Sequence, residues 1–460
     1  MRKNVKKLLL SLITAMVALG LFAGIPVAAH AQAVNTFADL QTAINGYGAA
    51  TSNMAITVAA DFGLTSVLSI PAPQTAGATL TIKGANPGVT LTRDVYGELF
   101  TVGNGAALIL EDIVIDGNKD VYLSNTSSIV FVDGGKFTLK DGAILTNNGG
   151  SYSDSSVYLN NGTFAMTGGE ISGNAAFAGG GVYIGPSSEF SMLGGEISGN
   201  TASIAGGGVY IDFSFDNSGE YIDGGAFVML GGEISGNTAE WGYGGGVYHN
   251  GGTFTMLGGE IINNTADYVG GVYIECYEEF ILGGTSVING NANNNVYLAD
   301  GQYITLSIST PPVPGMHVGV RTESEDGVIV ESDAISGDEA YFFADETGRE
   351  VKYESGQLRI VDAAPDLHTT NLTIINTKRL DAKTFEYEVT MTVKNNGGVA
   401  KDVTASLVKF PSSCTIVDGN VSFGDIQGGE TVQGVDTLTF LMDRFIAFDG
   451  QPLTFAFDYK

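Results

Sequence analysis

Four glutamates stand at the same place in a phrase that recurs along the middle of the chain. Each belongs to Gly-Gly-Glu-Ile, and they are Glu170, Glu196, Glu233 and Glu260. Two carboxyl groups from neighbouring segments can cleave a glycosidic bond, one as acid and the other as base or nucleophile. If the segments lie side by side, the same row is equally a solvated acidic file or a track for calcium, because like charges at strand spacing repel unless water or a cation separates them. No Gly-Gly-x-Gly-x-Asp repeat and no EF-hand loop occurs. The expectation is therefore no cofactor, with calcium bridging as the alternative.

Aromatic side chains form a second array. Val-Tyr-Ile or a close variant carries Tyr158, Tyr183, Tyr210, Tyr248, Tyr273 and Tyr297, with an apolar residue on each side in nearly every copy. Alternation in a strand then predicts that these tyrosines point outward as an exposed stack. A further set, Phe177, Ile204, Trp241 and Tyr268, follows a repeated turn asparagine by three or four residues. The longest step between copies contains an insertion, Asp212–Asp223, with Phe213, Phe215 and Tyr221. Insertions in repeats often lie on a binding face. The candidate ligand-binding residues are Trp241, Tyr268, Tyr243, Phe213, Phe215, Tyr221, Tyr210 and Tyr248; the alternative is that stacked rings only stabilise the fold.

Other chemistry is sparse. His249 replaces the Ile of Val-Tyr-Ile and reads as a strand-end surface residue, while His317 and His368 are remote in sequence. Cys276 and Cys414 exclude a disulfide scaffold. They read as isolated thiols, with an interdomain bridge as the alternative. The net charge is −29, and no Lys or Arg occurs between Asp141 and Asp300. Such a surface repels phosphate backbones and anionic lipid, so no nucleic-acid partner is expected.

The elements that must position these residues come from the repeat itself. Phe-x-Met-x-Gly-Gly-Glu-Ile-Ser-Gly-Asn begins at Phe164, Phe190, Phe227 and Phe254 in full or near-full form, and degenerate copies span Phe137–Asn147 and Phe280–Asn291. The first glycine of Gly-Gly-Glu falls at Gly168, Gly194, Gly231 and Gly258, in steps of 26, 37 and 27 residues. A recurrence of this length signals a repeat architecture. Three short strands and three turns per copy close one coil of a parallel β-helix. The glycine content and the lack of an i, i+3, i+4 apolar stripe exclude helix there. Stacked coils align like residues. An asparagine ladder is expected through Asn147, Asn174, Asn200, Asn237, Asn264 and Asn291. Inward stacks are expected through the Phe, Met and Ile positions of the phrase.

The first coil needs a cover, because an open sheet edge invites pairing. Thr36 as N-cap and Phe37, Leu40, Ala43 and Ile44 on one face predict a short amphipathic helix. Residues 1–31 read as a signal peptide: Arg2, Lys3, Lys6 and Lys7, an apolar Leu8–Phe22 stretch, and Ala29-His30-Ala31 before a mature start near Gln32. No other run has membrane length, and no wall-sorting tail is expected. The organisation is thus signal 1–31, β-helix with capping segments 32–362, linker 363–366, and a small antiparallel sandwich 367–460, the last marked by alternating strands and the Asn395-Asn396-Gly397-Gly398 turn.

The repeats resemble the right-handed parallel β-helices of the pectin-lyase-like superfamily. More narrowly they resemble adhesin-type repeats of chlamydial polymorphic membrane proteins, which pair Gly-Gly-Ala-[Ile/Leu/Val] with Phe-x-x-Asn. The matching residues are Gly168-Gly169-Glu170-Ile171 and Ile171-Ser172-Gly173-Asn174, with Glu for the family's Ala and Ile for its Phe. The tail, through Val389–Gly398 and Phe423–Glu430, resembles bacterial cell-adhesion-related immunoglobulin-like domains. The superfamily includes lyases and hydrolases. A lyase base of Lys or Arg is not available in the regular coils, and the hydrolase motifs Asn-Thr-Asp, Gly-His-Gly and Arg-Ile-Lys are not found. The resemblance implies an exported, non-catalytic adhesin-like protein, secreted or at the cell surface, that meets carbohydrate or a cell-surface protein. A secreted glycan hydrolase with paired carboxylates is the alternative.

Overall fold

The computed structural model describes residues 31–149, 154–215, 221–222, 224–275, 279–447 and 449–460. Residues 1–30 of the expected signal segment and Cys276 lie outside the described residues, as do the side chains of Phe215 and Tyr221. The chain divides into two compact units, one reaching to Phe343 with Tyr353–Arg359, the other Ala344–Lys352 with Ile360–Lys460.

The first unit is a parallel β-solenoid. One face is an eleven-stranded sheet from Ala31–Val34 to Ile304–Leu306, containing every Phe-x-Met strand. The Glu-Ile-Ser strands and the Val-Tyr-Ile strands form two further ladders, joined through His317–Thr322, which pairs with the last strand of each. Pairing is like over like: Phe190 faces Phe164 and Phe227, Ile197 faces Ile171 and Ile234, and Tyr210 faces Tyr183 and Tyr248. Slipping one residue would turn every apolar side chain to solvent, so the constant wording inside the phrase sets the register. The phenylalanines stack inside with centroids 4.6 Å apart for Phe164 and Phe190 and 4.8 Å for Phe190 and Phe227. Met166, Met192, Met229 and Met256 are fully buried beside them.

Three strands per coil were expected. The structure adds a short fourth after the turn asparagine: Ala175–Ala178, Thr201–Ala205, Thr238–Ala239 and Thr265–Ala266. Its inward residues Ala176, Ala202, Ala239 and Ala266 are buried. A methyl group is all that a narrow corner accommodates.

The asparagine ladder runs as expected with one correction. Asn200 donates from its backbone N–H and from Nδ2 to Oδ1 of Asn237, both at 3.0 Å, and its Nδ2 also reaches the Ile171 carbonyl at 2.8 Å. Each asparagine thus ties three coils. At the N-terminal side the member is Asn148, not Asn147: the Asn148 N–H donates to Asn174 Oδ1 at 3.0 Å. Leu139 pairs with Met166 but Leu145 pairs with Ile171, so the intervening turn holds one extra residue. Asn147 takes the left-handed turn site, φ 57°, that Gly173 occupies at 66° in the next coil.

The Gly-Gly-Gly before Val-Tyr follows from crowding. A Cβ on Gly207 would stand 2.6 Å from the Thr238 carbonyl oxygen, with the Gly245 carbonyl oxygen closer still.

The covering helix is Phe37–Tyr47, with Thr36 Oγ1 accepting from the Asp39 N–H at 3.2 Å. Leu40, Ala43, Ile44 and Tyr47 are buried, whereas Phe37 is only partly covered. Tyr47 reaches further because its hydroxyl donates to the Ala78 carbonyl at 2.6 Å.

In the second unit, Leu367–Arg379, Thr384–Asn395, Leu438–Asp443, Cys414–Asp418 and Thr431–Gln433 form one antiparallel sheet, and Asn420–Ile426, Ala400–Lys409 and Thr454–Asp458 another. Val389, Met391 and Leu438 of the first share a core with Val403, Ala405 and Phe423 of the second. Cys414 is a buried free thiol at its margin.

Candidate functional site

The glutamates stand in one file. Glu170, Glu196, Glu233 and Glu260 are Cα partners across successive coils. They line a shallow groove together with Gly142, Ala143, Ile144 and the turn glycines. No second row of carboxylates lines it. Among the described residues, no three His, Cys, Asp or Glu side chains converge as metal ligands.

The tyrosines stack, but half-buried rather than exposed. Tyr158 and Tyr183 lie 4.6 Å apart at 9°, Tyr183 and Tyr210 5.2 Å at 6°, and Tyr210 and Tyr248 5.2 Å at 11°; Tyr273 and Tyr297 continue the row. Tyr210 and Tyr248 therefore have neighbours on both ring faces, and neither offers a free face to a ligand. Their hydroxyls engage the next coil. Tyr183 donates to Asp212, and Tyr248 donates to Glu275 Oε2 at 2.7 Å. Tyr210 accepts from Asn250 Nδ2 at 3.0 Å, which also reaches Asp212 Oδ1 at 3.1 Å. Burial, and then the adjacent carboxylates, push the Tyr183 and Tyr248 phenols well above the usual range; burial and Asp212 do the same for Tyr210. Sequence reasoning missed Asp212, Asn250 and Glu275. Each sits two residues after the tyrosine of its coil, on the same side of the strand, and that offset was readable.

A different set of aromatics is open to solvent. Trp241 is 77 % exposed and Tyr268 57 %, with Phe177 and Ile204 also exposed. Phe177 and Ile204 lie within the short fourth strands, and Trp241 and Tyr268 follow theirs by two residues. The Trp241 N–H donates to the Ser203 carbonyl at 3.1 Å and the Tyr268 N–H to the Gly242 carbonyl at 3.3 Å, so each is tied to the coil before its own. Tyr243 stacks on Tyr268 at 4.7 Å and meets Tyr273 at 4.5 Å, so it joins this strip to the tyrosine row. Beside the strip run Thr201, Thr238 and Thr265, in register. Leu123, Ala175, Thr201, Ser203 and Glu240 line a shallow hollow there, with Lys119 at its rim. This hydroxyl row was also missed, because a two-residue strand carries too little alternation to be read from sequence.

The insertion forms a short antiparallel hairpin in which Phe215 pairs with Tyr221. Phe213 precedes it and is half-buried against the turn at Gly251. The hairpin and Phe213 lie by that turn, whereas Trp241, Tyr243 and Tyr268 form their own group on the fourth face.

His249 is the plain correction. It is not a surface residue but fully buried, pointing into the coil in register with Ile211 and Ile274. A third residue of Val-Tyr-x points inward whatever its polarity, because alternation decides the side. No family model, curated protein or solved structure matches the chain.

Proposed function

We propose that this protein is an exported, non-catalytic binding scaffold of the adhesin type, secreted or at the cell surface, whose solenoid presents the Trp241–Tyr268 strip to a neutral carbohydrate chain. The observation that carries this reading is the exposure of Trp241 and Tyr268 beside an ordered row of threonine hydroxyls. Aromatic planes accept the apolar faces of sugars, and hydroxyls with the nearby Glu240 and Asp267 carboxylates supply hydrogen-bond partners for sugar hydroxyls. The net charge of −29 disfavours acidic glycans. The C-terminal unit, in its resemblance to immunoglobulin-like adhesion domains, is a spacer or second adhesive module. The test is binding of the full chain to an array of neutral and acidic glycans. Retention of neutral glycans, lost in the Trp241→Ala, Tyr268→Ala double variant, is the expected result; equal retention by both proteins overturns it.

A second reading rests on the glutamate groove: a glycan hydrolase using adjacent acids of the file. Incubation with a polysaccharide panel decides it. Reducing ends released by the parent protein and not by Glu196→Gln or Glu233→Gln would replace the binding proposal.

A further inference from the structure

One polar side chain interrupts an apolar ladder inside the solenoid. The inward residue after Val-Tyr is Leu159, Ile184, Ile211, His249, Ile274 and Leu298 in successive coils. His249 is fully buried, and neither ring nitrogen has a hydrogen-bond partner. Backbone groups of Gly251 and Gly252 favour its charged form, but without hydrogen-bond geometry they do not offset the burial, which dominates and drives its pKa down to about 3. Phe254 meets the imidazole edge-on at 6.4 Å. The inward residues of the strands around it are Val209, Ile211, Val272, Ile274, Phe254 and Met256, all buried and uncharged. The ionisable groups of those elements, Tyr210, Asp212, Tyr248, Tyr273 and Glu275, belong to the outer tyrosine row and its network. A protonated imidazole has two donors and a charge, and apart from the Gly251 and Gly252 backbone, which neither ring nitrogen reaches in hydrogen-bond geometry, this lining is apolar.

The neighbours of His249 hold that outer network together. Tyr248, just before it, donates to Glu275; Asn250, just after it, bridges Tyr210 and Asp212. The Glu275 N–H donates to the His249 carbonyl at 3.0 Å, and the Asn250 N–H to the Ile211 carbonyl at 3.0 Å. The following turn, Gly251-Gly252, packs on Phe213 and on Gly224 and Gly225, the two ends of the hairpin insertion.

We propose that His249 is an acid-sensitive joint: on protonation the Val247–His249 strand leaves the column to hydrate the imidazolium, which releases the Tyr210–Asn250–Asp212 and Tyr248–Glu275 contacts and frees the hairpin, while the remaining coils stay paired. Opening is local because a coil contacts only its neighbours, and repeat arrays yield in segments. It is reversible because no covalent step is involved.

The chain carries its own reporter, since Trp241 is the sole tryptophan and lies in the same coil. Fluorescence of the full-length protein is followed from pH 8 to pH 3 together with far-ultraviolet circular dichroism, in the parent and in His249→Ile, which restores the ladder residue. The parent shows a reversible Trp241 step, with dichroism largely kept. In His249→Ile that step disappears or moves down by more than one pH unit. Identical midpoints in the two proteins, no step in the parent, or a step that coincides with loss of all dichroism each overturn the proposal. If His249→Ile lacks native dichroism at pH 8, His249→Leu takes its place with the same expectations, and amide exchange of residues 244–256 in the parent supplies a second readout, in which protection is lost there first on acidification; uniform loss along the solenoid overturns the proposal.

Discussion

Arg93 Nη2 donates to Asn148 Oδ1 at 2.9 Å, and at this contact the asparagine ladder ends. The guanidinium is buried and also donates to carbonyls of Gly117 at 2.9 Å and Ser128 at 3.3 Å, and to that of Gly97. Burial lowers its pKa to about 10, so it stays charged at neutral pH. A planar fork of donors satisfies several carbonyls at once. Arg93→Met leaves those acceptors unpaired and is expected to cost about 3 kcal/mol, read as a lower urea midpoint. Arg93→Lys recovers only part of the loss, because an ammonium lacks the fork. A parent-like midpoint for the Met variant would show that the carbonyls find other partners.

Within the ladder, Asn237→Ala removes the acceptor of the Asn200 N–H and the Nδ2 donor to the Ile197 carbonyl. The expected loss is about 3 kcal/mol. Amide exchange should locate it: protection falls in the coils containing Asn200, Asn237 and Asn264 and is retained in the Phe37–Tyr47 helix.

Gly207→Ala tests the close approach of coils. The added methyl meets the carbonyl oxygens of Gly245 and Thr238, and backbone cannot swing away as a side chain can. A destabilisation of about 2–3 kcal/mol is expected. Gly199→Ala is the contrast: nothing lies within 4 Å of its Cβ, yet φ is +60°, so the smaller cost there is conformational strain of about 1 kcal/mol. Thermal melts of the two variants should separate crowding from strain.

At the acid end, the His249 pKa is about 6.5 when the chain is unfolded and about 3 when folded. Between these values the unfolded chain binds a proton that the folded chain refuses. Stability is therefore full above pH 6.5, falls as pH drops below it, and has lost the whole contribution by pH 3. At pH 5 the deficit is about 2 kcal/mol. Relative to the parent, His249→Ile should gain about that much more at pH 5 than at pH 8 in urea titrations. An equal gain at both would mean that the imidazole does not titrate on unfolding.

The tyrosine row acts at the alkaline end. Burial first, and then Asp212 or Glu275, hold the Tyr183 and Tyr248 phenols protonated beyond their ordinary value of 10.0. The unfolded chain releases these protons near pH 10 and the folded one does not, so stability is lost as pH rises above 10. Phenolate absorbance should include a cooperative stage coincident with loss of circular dichroism, as unfolding releases the Tyr183 and Tyr248 protons. Asp212→Asn removes a charge beside Tyr183 and should lower its ionisation pH. A single smooth titration with the fold intact would contradict the packing of the row.

Much of the fold was legible because it is periodic. Phe164 and Phe190 occupy the same word of the same phrase, and coil stacking turns that identity into contact. Asn147 was misassigned because counting along a degenerate copy cannot detect an extra turn residue, while the pairing of Leu145 with Ile171 does. Tyr210 and Tyr248 were placed on the correct side of their strands, yet how far they are covered depends on the coils above and below.

The chain's own pattern determined that the coils stack, which residues share a rung, and that a helix with Thr36 as its cap begins the column, since these follow from local alternation and from a repeated spacing. Tertiary structure alone decided that Asp212 meets Tyr183, that Arg93 closes the asparagine file, that Trp241 stands open while Tyr248 is sandwiched, and that His249 is sealed from water. The physical reason is distance along the chain. Rungs within one phrase are set by neighbours a few residues apart, whereas burial and hydrogen-bond partners are set by atoms one coil away, where insertions and turns of unequal length shift which side chains meet.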